Sequence, residues 1–248
     1  MIHVLLFCTL LLTALYALLM LRYLAGWLSL APHAIPDKPV FSTKVTVIIP
    51  ARDEEKNIGN CLRDILMQEY PARLLEIIVA DDGSGDRTAG TAEDTFNKFC
   101  GEERAVPAFC ILRQGKEGQP GGKKQAVSAA VRMASGELII TTDADCRIGR
   151  RWLAAFVSYF EKFGPDMICG PVVFNKEKGF FSGLQALEFM ALAGCGAGSI
   201  AYKQPLMCNG ANLAYRKASF LQAGGYEKTR GGDLASGGNG GTAGGGGR

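Results

Sequence analysis

An α/β fold, with a mostly parallel sheet flanked by helices and one N-terminal transmembrane helix, is what this 248-residue sequence predicts. Three observations point there. Short β-branched runs alternate with segments of helical period, several of those runs end in polar residues, and the first apolar run, Ile2 to Leu21, holds no Asp, Glu, Lys or Arg. Alternating strands and helices imply right-handed crossovers and a sheet covered on both faces. About 20 apolar residues in a helix cross a bilayer core.

The elements follow in order. Residues 1–30 read as the membrane helix with its interfacial flank, where Arg22, Tyr23 and Trp27 supply the cation and aromatics of a headgroup boundary. Positive charge on that flank places the rest of the chain in the cytoplasm, and the length of the run and its lack of a basic start argue against a cleaved leader. Residues 31–43, with "APHAIPDKP", form a linker to a folded domain over 44–230. Within it "KVTVIIP" is a strand, and Ile58, Leu62, Ile65 and Leu66 mark one face of a helix beginning near Asp53. "LEIIVADD" is the second strand, followed by a helix through Phe99; "AFCILRQ" is the third, followed by the small-residue helix "KKQAVSAAVRMA". "ELIITTDAD" is the fourth, then a helix at "RRWLAAFVSYFEKF" and a strand at "MICGPVVF". The apolar stretch "FFSGLQALEFMALAGCGAGSIAY" contains Glu188 and several glycines, which suits an interfacial or substrate-side helix better than a second span. Residues 231–248 are Gly-rich with almost nothing to pack, and read as a disordered or aberrant tail.

Composition removes other functions. A net charge of +3, without a basic stripe interleaved with aromatics, argues against nucleic acid. Eight cysteines without a C-x-x-C pair or neighbouring histidines argue against zinc, and predict small core residues in a reducing compartment.

In parallel sheets ligands bind outside the carboxyl ends of the strands. Pro50, Ala51 and Arg52 end the first strand here, Asp81 and Asp82 the second, and Asp143 and Asp145 the fourth. Carboxylates crowded together raise one another's pKa unless a cation or hydrogen-bond donors hold them ionised. Mg²⁺ or Mn²⁺, which takes oxygen ligands and keeps room for substrate phosphates, meets that need. Lysines at the start of "KKQA" oppose the helix dipole and invite an anion. Each piece has a plainer reading, a turn for "DDGSGD" and a charged first turn for Arg52 and Glu54; their shared edge favours a metal diphosphate site.

In the order "VTVIIPARDEEKNI", "EIIVADDGSGDRT", "GGKKQAVSAAVRMASGELIITTDAD" and "CNGANLAYRKASFLQAGGYE", the sequence resembles the family 2 glycosyltransferases, membrane-associated bacterial enzymes of GT-A fold. The resemblance implies a nucleotide-diphospho-sugar transferase-like domain in the inner membrane, held by a single-pass anchor with its catalytic domain cytoplasmic. It implies that Pro50, Ala51, Arg52 and Glu54 border the base, that Asp81 or Asp82 contacts base or ribose, and that Lys124 lies near the nucleotide. It makes Asp145 the direct metal ligand, with Asp143 nearer ribose and metal together, and sets Gly210, Ala211 and Asn212 near sugar and acceptor. The implied partners are a nucleotide-sugar donor, UDP-sugar foremost, and a lipid or polysaccharide acceptor. The implied reaction is a metal-assisted inverting displacement.

The family's general base sits in an acidic pair after "GGYE", where this chain has Gly238 and Asn239. Neither accepts a proton at neutral pH, and the spacing of Glu227 and Asp233 does not match. The expectation is therefore a domain truncated at its C-terminus, with a membrane-tethered nucleotide-sugar binding module as the rival to an active transferase. A nucleotidyltransferase would want glycines after the first strand, and an aspartate-nucleophile phosphatase would carry D-x-D on its first strand.

Overall fold

The computed structural model describes residues 1–101, 105–115, 121–174 and 179–226. Its sheet has six strands in the order β3-β2-β1-β4-β6-β5. They are β1 (Val45–Ala51), β2 (Leu75–Asp82), β3 (Ala108–Gln114), β4 (Leu138–Thr141), β5 (Met167–Cys169) and β6 (Leu213–Arg216). β1 runs parallel to β2 and β4, and β2 parallel to β3, whereas β6 is antiparallel to both β4 and β5.

Every residue of β1 is buried, as a central parallel strand requires. Period-two alternation divides it between two layers. Val45, Val47 and Ile49 face α2 (Ile58–Leu66) and α5 (Trp152–Phe163), in a core with Leu62, Ile65, Leu153 and Val157. Ile48, with Ile78 of β2, packs on the other side against Ala126, Val127, Ala130 and Val131 of α4 (Lys123–Met133). The remaining helices are α1 (Ile2–Ser29), α3 (Thr88–Cys100), α6 (Phe180–Ala201) and α7 (Lys217–Gln222).

The mostly parallel sheet expected from the sequence is borne out, and four details of the sequence reading change. "LAYR" inserts as the antiparallel strand β6, which the sequence did not announce; four residues are too few for alternation to separate strand from loop. The fourth strand stops at Thr141, so the D-x-D pair lies in the loop beyond it. The first domain helix begins at Ile58, since residues 52–57 are committed to loop hydrogen bonds described below. Of the cysteines only Cys61 is fully buried, and all eight are free.

α1 and α6 are both long and apolar enough to cross a membrane. They pack against each other in opposite directions, with Trp27 beside Gly194, Tyr23 against Gly198 and Arg22 over the ring of Tyr202. A Cβ on Gly198 would stand 2.1 Å from the Tyr23 carbonyl oxygen, so glycine is what lets the two backbones touch. Arg22 also donates to Gln204 Oε1 at 2.9 Å. α6 is thus bound to the end of the N-terminal helix.

The amino edge of the sheet is a stability edge. Glu161 of α5 accepts hydrogen bonds from the backbone N–H groups of Ser42 and Thr43 and from both hydroxyls, fastening the linker ahead of β1. Burial raises its pKa, but those four donors outweigh it and the carboxyl stays below its ordinary 4.5. A carboxyl depressed in the folded state stabilises above its unfolded pKa and loses that contribution as pH falls through the folded one. Glu161→Gln should therefore cost about 1 kcal/mol at pH 7, modest because the side chain is largely wet. The gap between the two proteins should close below about pH 4.5, as read from thermal midpoints against pH.

Candidate functional site

The carboxyl ends of β1, β2 and β4 meet at the opposite edge, where the chain holds its loops by short-range donors. Pro50 and Ala51 are buried in β1, opposite Ala80 and Asp81 of β2. Beyond them Arg52 is exposed, 3.7 Å from the Asp53 carboxylate. Asp53 adopts a left-handed φ of 55°, which aspartate tolerates better than most residues. This turns its Oδ1 to accept from Gly85 N at 2.8 Å while its own N–H donates to Ser84 Oγ at 3.1 Å. Glu54 N–H donates to Thr88 Oγ1 at 2.8 Å, and Glu55 N–H to Asp86 Oδ2 at 3.1 Å. The two loops are laced together, with Glu54 Oε2 accepting from Asn57 Nδ2 at 2.8 Å.

The strand-end aspartates of β2 are both 5% exposed. Asp81 Oδ1 accepts from the N–H of Ser84 at 3.0 Å and from its hydroxyl. Asp82 Oδ1 accepts from the N–H groups of Gly121 and Gly122 at 2.9 and 3.0 Å, so it holds the N-terminus of α4 from outside the helix. Gly122 at the N-cap has φ 101°, a conformation that favours glycine. The positive end of the α4 dipole is thereby set on the same edge as the D-x-D loop. Lys123, the first residue of α4, reaches Asp143 Oδ1 at 2.7 Å. Lys124, singled out from the sequence, is exposed next to it, and the contact with Asp143 is made by Lys123.

In the loop itself Ala144 is buried and Asp145 exposed, with Asp143 between these extremes. Cys61 of α2 lies fully buried beneath and donates its S–H to Asp143 O at 3.5 Å. Burial, followed by the nearby Cys146 and the charges of Asp64, Asp145 and Asp143, pushes that thiol far up. Asp64, also on α2, clamps the next turn of the loop. It accepts from Arg147 Nε and Nη2 at 2.7 and 3.0 Å and from Ile148 N at 3.0 Å. One turn on, Gln68 donates to Gly149 O at 2.8 Å and accepts from Leu153 N at 3.0 Å. Sequence reasoning missed both residues; their only signal was the i, i+4 spacing of a polar side chain on α2 and another just beyond its C-terminal end.

The carboxylates are therefore not one mutually repelling cluster. Asp81 and Asp82 are satisfied by protein donors and Asp143 by Lys123, while Asp145 meets the Cys146 thiol at 3.8 Å. Among the described residues no group of three His, Cys, Asp or Glu side chains is placed to hold a metal. Two hard oxygen donors one residue apart fit a divalent cation whose other positions go to water and substrate phosphate.

Gly210–Asn212 forms a single 3₁₀ turn, in which Asn209 Oδ1 accepts from Ala211 N at 2.9 Å. Thr141 at the end of β4 donates to Gly210 O at 2.7 Å, which seats the turn beside the D-x-D loop. The Asn212 side chain accepts from Trp152 Nε1 at 2.8 Å and donates to Pro171 O at 2.7 Å. Its amide is used inside the protein, leaving Gly210 as the exposed member of the turn and Ala211 buried. Gly238, Asn239, Glu227 and Asp233 lie outside the described residues. Cavities of about 520 and 510 Å³ open away from this edge, beside Phe41 and Tyr70 and between α2 and α3.

Residues 46–222 match the family described as Glycosyl transferase family 2. Glycosyltransferase AglE of Haloferax volcanii is 30% identical over 135 residues, which are 54% of this chain and 41% of that protein. Among solved structures, a mannosyltransferase of Pyrobaculum calidifontis in complex with GDP-Man and Mn²⁺ superposes with a TM-score of 0.62 at 22% identity, covering 88% of this chain and 57% of that one. TarS 1-349 of S. aureus in complex with UDP-GlcNAc gives 0.52 at 20% identity, covering 73% and 47%. The GT-A fold expected from the sequence is borne out, and the chain spans less than two thirds of the length of these relatives.

Proposed function

The chain belongs to glycosyl transferase family 2, and on that premise we propose that it moves a sugar from a nucleoside-diphosphate sugar to an acceptor hydroxyl at the carboxyl edge of β1, β2 and β4. The observation that carries this reading is the convergence on one shelf of an exposed Asp145, the Lys123–Asp143 pair and the N-terminus of α4. An anionic diphosphate needs that combination of cationic side chain, helix N–H groups and a place for a hard cation.

In the displacement, the acceptor oxygen bonds to the anomeric carbon as the bond to the diphosphate oxygen breaks, and the acceptor proton passes to a base. Lys123 and the α4 N-terminus would stabilise the charge that appears on the leaving group. Arg52, Glu54 and the laced loop after β2 would border the base and ribose, and Gly210 would face the sugar. Mg²⁺ or Mn²⁺, held by Asp145 and Asp143, would supply further neutralisation of the diphosphate when bound. The relatives named above were solved with GDP-Man and UDP-GlcNAc, which supports a nucleotide-sugar donor of either base. α1 would anchor the domain on the cytoplasmic face of the inner membrane, within reach of a lipid or polysaccharide acceptor.

Calorimetric titration of UDP and GDP into the full chain, with and without Mn²⁺, tests the donor site, and transfer from labelled UDP-sugars or GDP-sugars to membrane extract tests turnover. Metal-dependent binding with labelled product supports a transferase. Metal-dependent binding without product under any donor would leave a tethered nucleotide-sugar binding module, and no binding by a folded protein would overturn both.

A further inference from the structure

Asp145 stands on a short arch whose two feet are held differently. At one foot Ala144 is buried in the core shared with α2 and α5. At the other Ile148 is half-buried, and its N–H donates to Asp64 Oδ2 at 3.0 Å. Between the feet Asp145 and Arg147 are exposed and Cys146 half-buried, and the backbone closes one turn, from Cys146 N–H to Asp143 O at 3.1 Å. Sideways restraint comes from Arg147, whose Nε and Nη2 donate to the two oxygens of Asp64 at 2.7 and 3.0 Å. A single exposed ion pair contributes little to stability, but a two-pronged one fixes orientation as well as distance. The Asp64 side chain is only 15% exposed, so its carboxylate is a fixed seat and not a mobile counterion. Gln68 supplies a contrast within the same loop. It donates to Gly149 O and accepts from Leu153 N, which ties the far end of the loop to α5, a helix already held by its buried Leu153, Phe156 and Val157.

We propose that Asp64 is a positioning residue for the metal site: through Arg147 and the Ile148 N–H it fixes the arch that aims the Asp145 carboxylate, while touching neither cation nor nucleotide itself. The proposal rests on the reading of Asp145 and Asp143 as the cation's ligands. Both oxygens of Asp64 face protein donors, so its part is to hold the loop. A ligand that must be ordered at the moment of binding costs conformational entropy, and one already held in place does not. Asp64→Asn keeps the shape of the side chain but turns an amide NH₂ toward donors in place of one acceptor, which breaks the fork. Asp145 is then chemically unchanged but free to pivot between Ala144 and Ile148. The loss falls on affinity for the cation and spares the nucleotide contacts made by α4 and the laced loop.

The test titrates Mn²⁺ into the full chain in detergent at fixed UDP or GDP, and follows nucleotide binding by calorimetry beside thermal unfolding. In Asp64→Asn the Mn²⁺ concentration for half-maximal nucleotide binding should rise about tenfold, the size expected for an outer partner of a metal ligand. Excess Mn²⁺ should restore wild-type binding, and binding without metal should change less than about twofold. Arg147→Lys, which keeps the charge but not the fork, should shift the Mn²⁺ requirement the same way, and decides the matter if Asp64→Asn does not fold. Gln68→Ala should lower the unfolding midpoint at least as far as Asp64→Asn, yet leave the Mn²⁺ requirement within about twofold of wild type. An unchanged Mn²⁺ requirement in folded Asp64→Asn would overturn the proposal, with the metal reading left standing. A requirement that rises as much in Gln68→Ala as in Asp64→Asn would also overturn it, by reducing Asp64 to one of two general struts of the loop. Wild-type protein that binds neither nucleotide in a Mn²⁺-dependent way would overturn the metal reading itself, and the positioning role with it.

Discussion

Asp145→Ala should abolish metal-dependent nucleotide binding while leaving the fold intact. The carboxylate is exposed in the loop beyond β4 and bears none of the backbone contacts that hold that loop. Those belong to Asp64, Gln68 and Cys61. Stability should therefore move by less than about 0.5 kcal/mol, as for other exposed sites. Binding is another matter, because a cation left with one carboxylate already paired to Lys123 has little to hold it. A loss of about 100-fold or more in Mn²⁺-dependent affinity for UDP or GDP corresponds to about 2.7 kcal/mol, within reach of one charged ligand. Calorimetry with and without Mn²⁺ measures it. Unchanged binding in Asp145→Ala would remove the metal assignment; an equal loss in the absence of metal would make Asp145 a direct contact to the nucleotide.

Asp82→Ala should show the opposite balance. Asp82 is buried and its carboxylate takes the N–H groups of Gly121 and Gly122, so truncation leaves a buried gap and strands two half-buried donors. The expected cost is about 3 kcal/mol of stability, with Asp82→Asn between wild type and Ala because an amide oxygen still accepts. Nucleotide affinity should fall about tenfold in parallel, since α4 and Lys123 are no longer aimed at the shelf. Thermal unfolding read beside nucleotide titration separates two roles. Affinity and stability falling together would identify Asp82 as the strut of the α4 N-terminus. Affinity lost at unchanged stability would mean that the carboxylate itself meets the base or ribose, the role that the family resemblance implies.

The site was legible where one strand carries it. "ELIITTDAD" and "LEIIVADD" each show an apolar run ending in acids, and the sheet rule placed both ends on one edge. What was illegible was the state of those acids. Asp82 is answered by glycines about 40 residues later, Asp64 by Arg147 more than 80 residues later, and no local spacing announces such pairings. β6 escaped for a related reason, since its pairing with β4 and β5 is non-local and its own four residues are too short to declare a period.

By itself the sequence determined the alternation of strands and helices, the apolar N-terminal helix and the collection of polar residues at one sheet edge. These are local properties, written in hydrophobic period and in residue type at strand ends. Tertiary structure decided which carboxylates are free and which are struts, and that Lys123 and not Lys124 reaches Asp143. Charge and hydrogen-bond satisfaction depend on distances of a few ångströms between segments remote in the chain, and those distances exist only after the sheet has assembled.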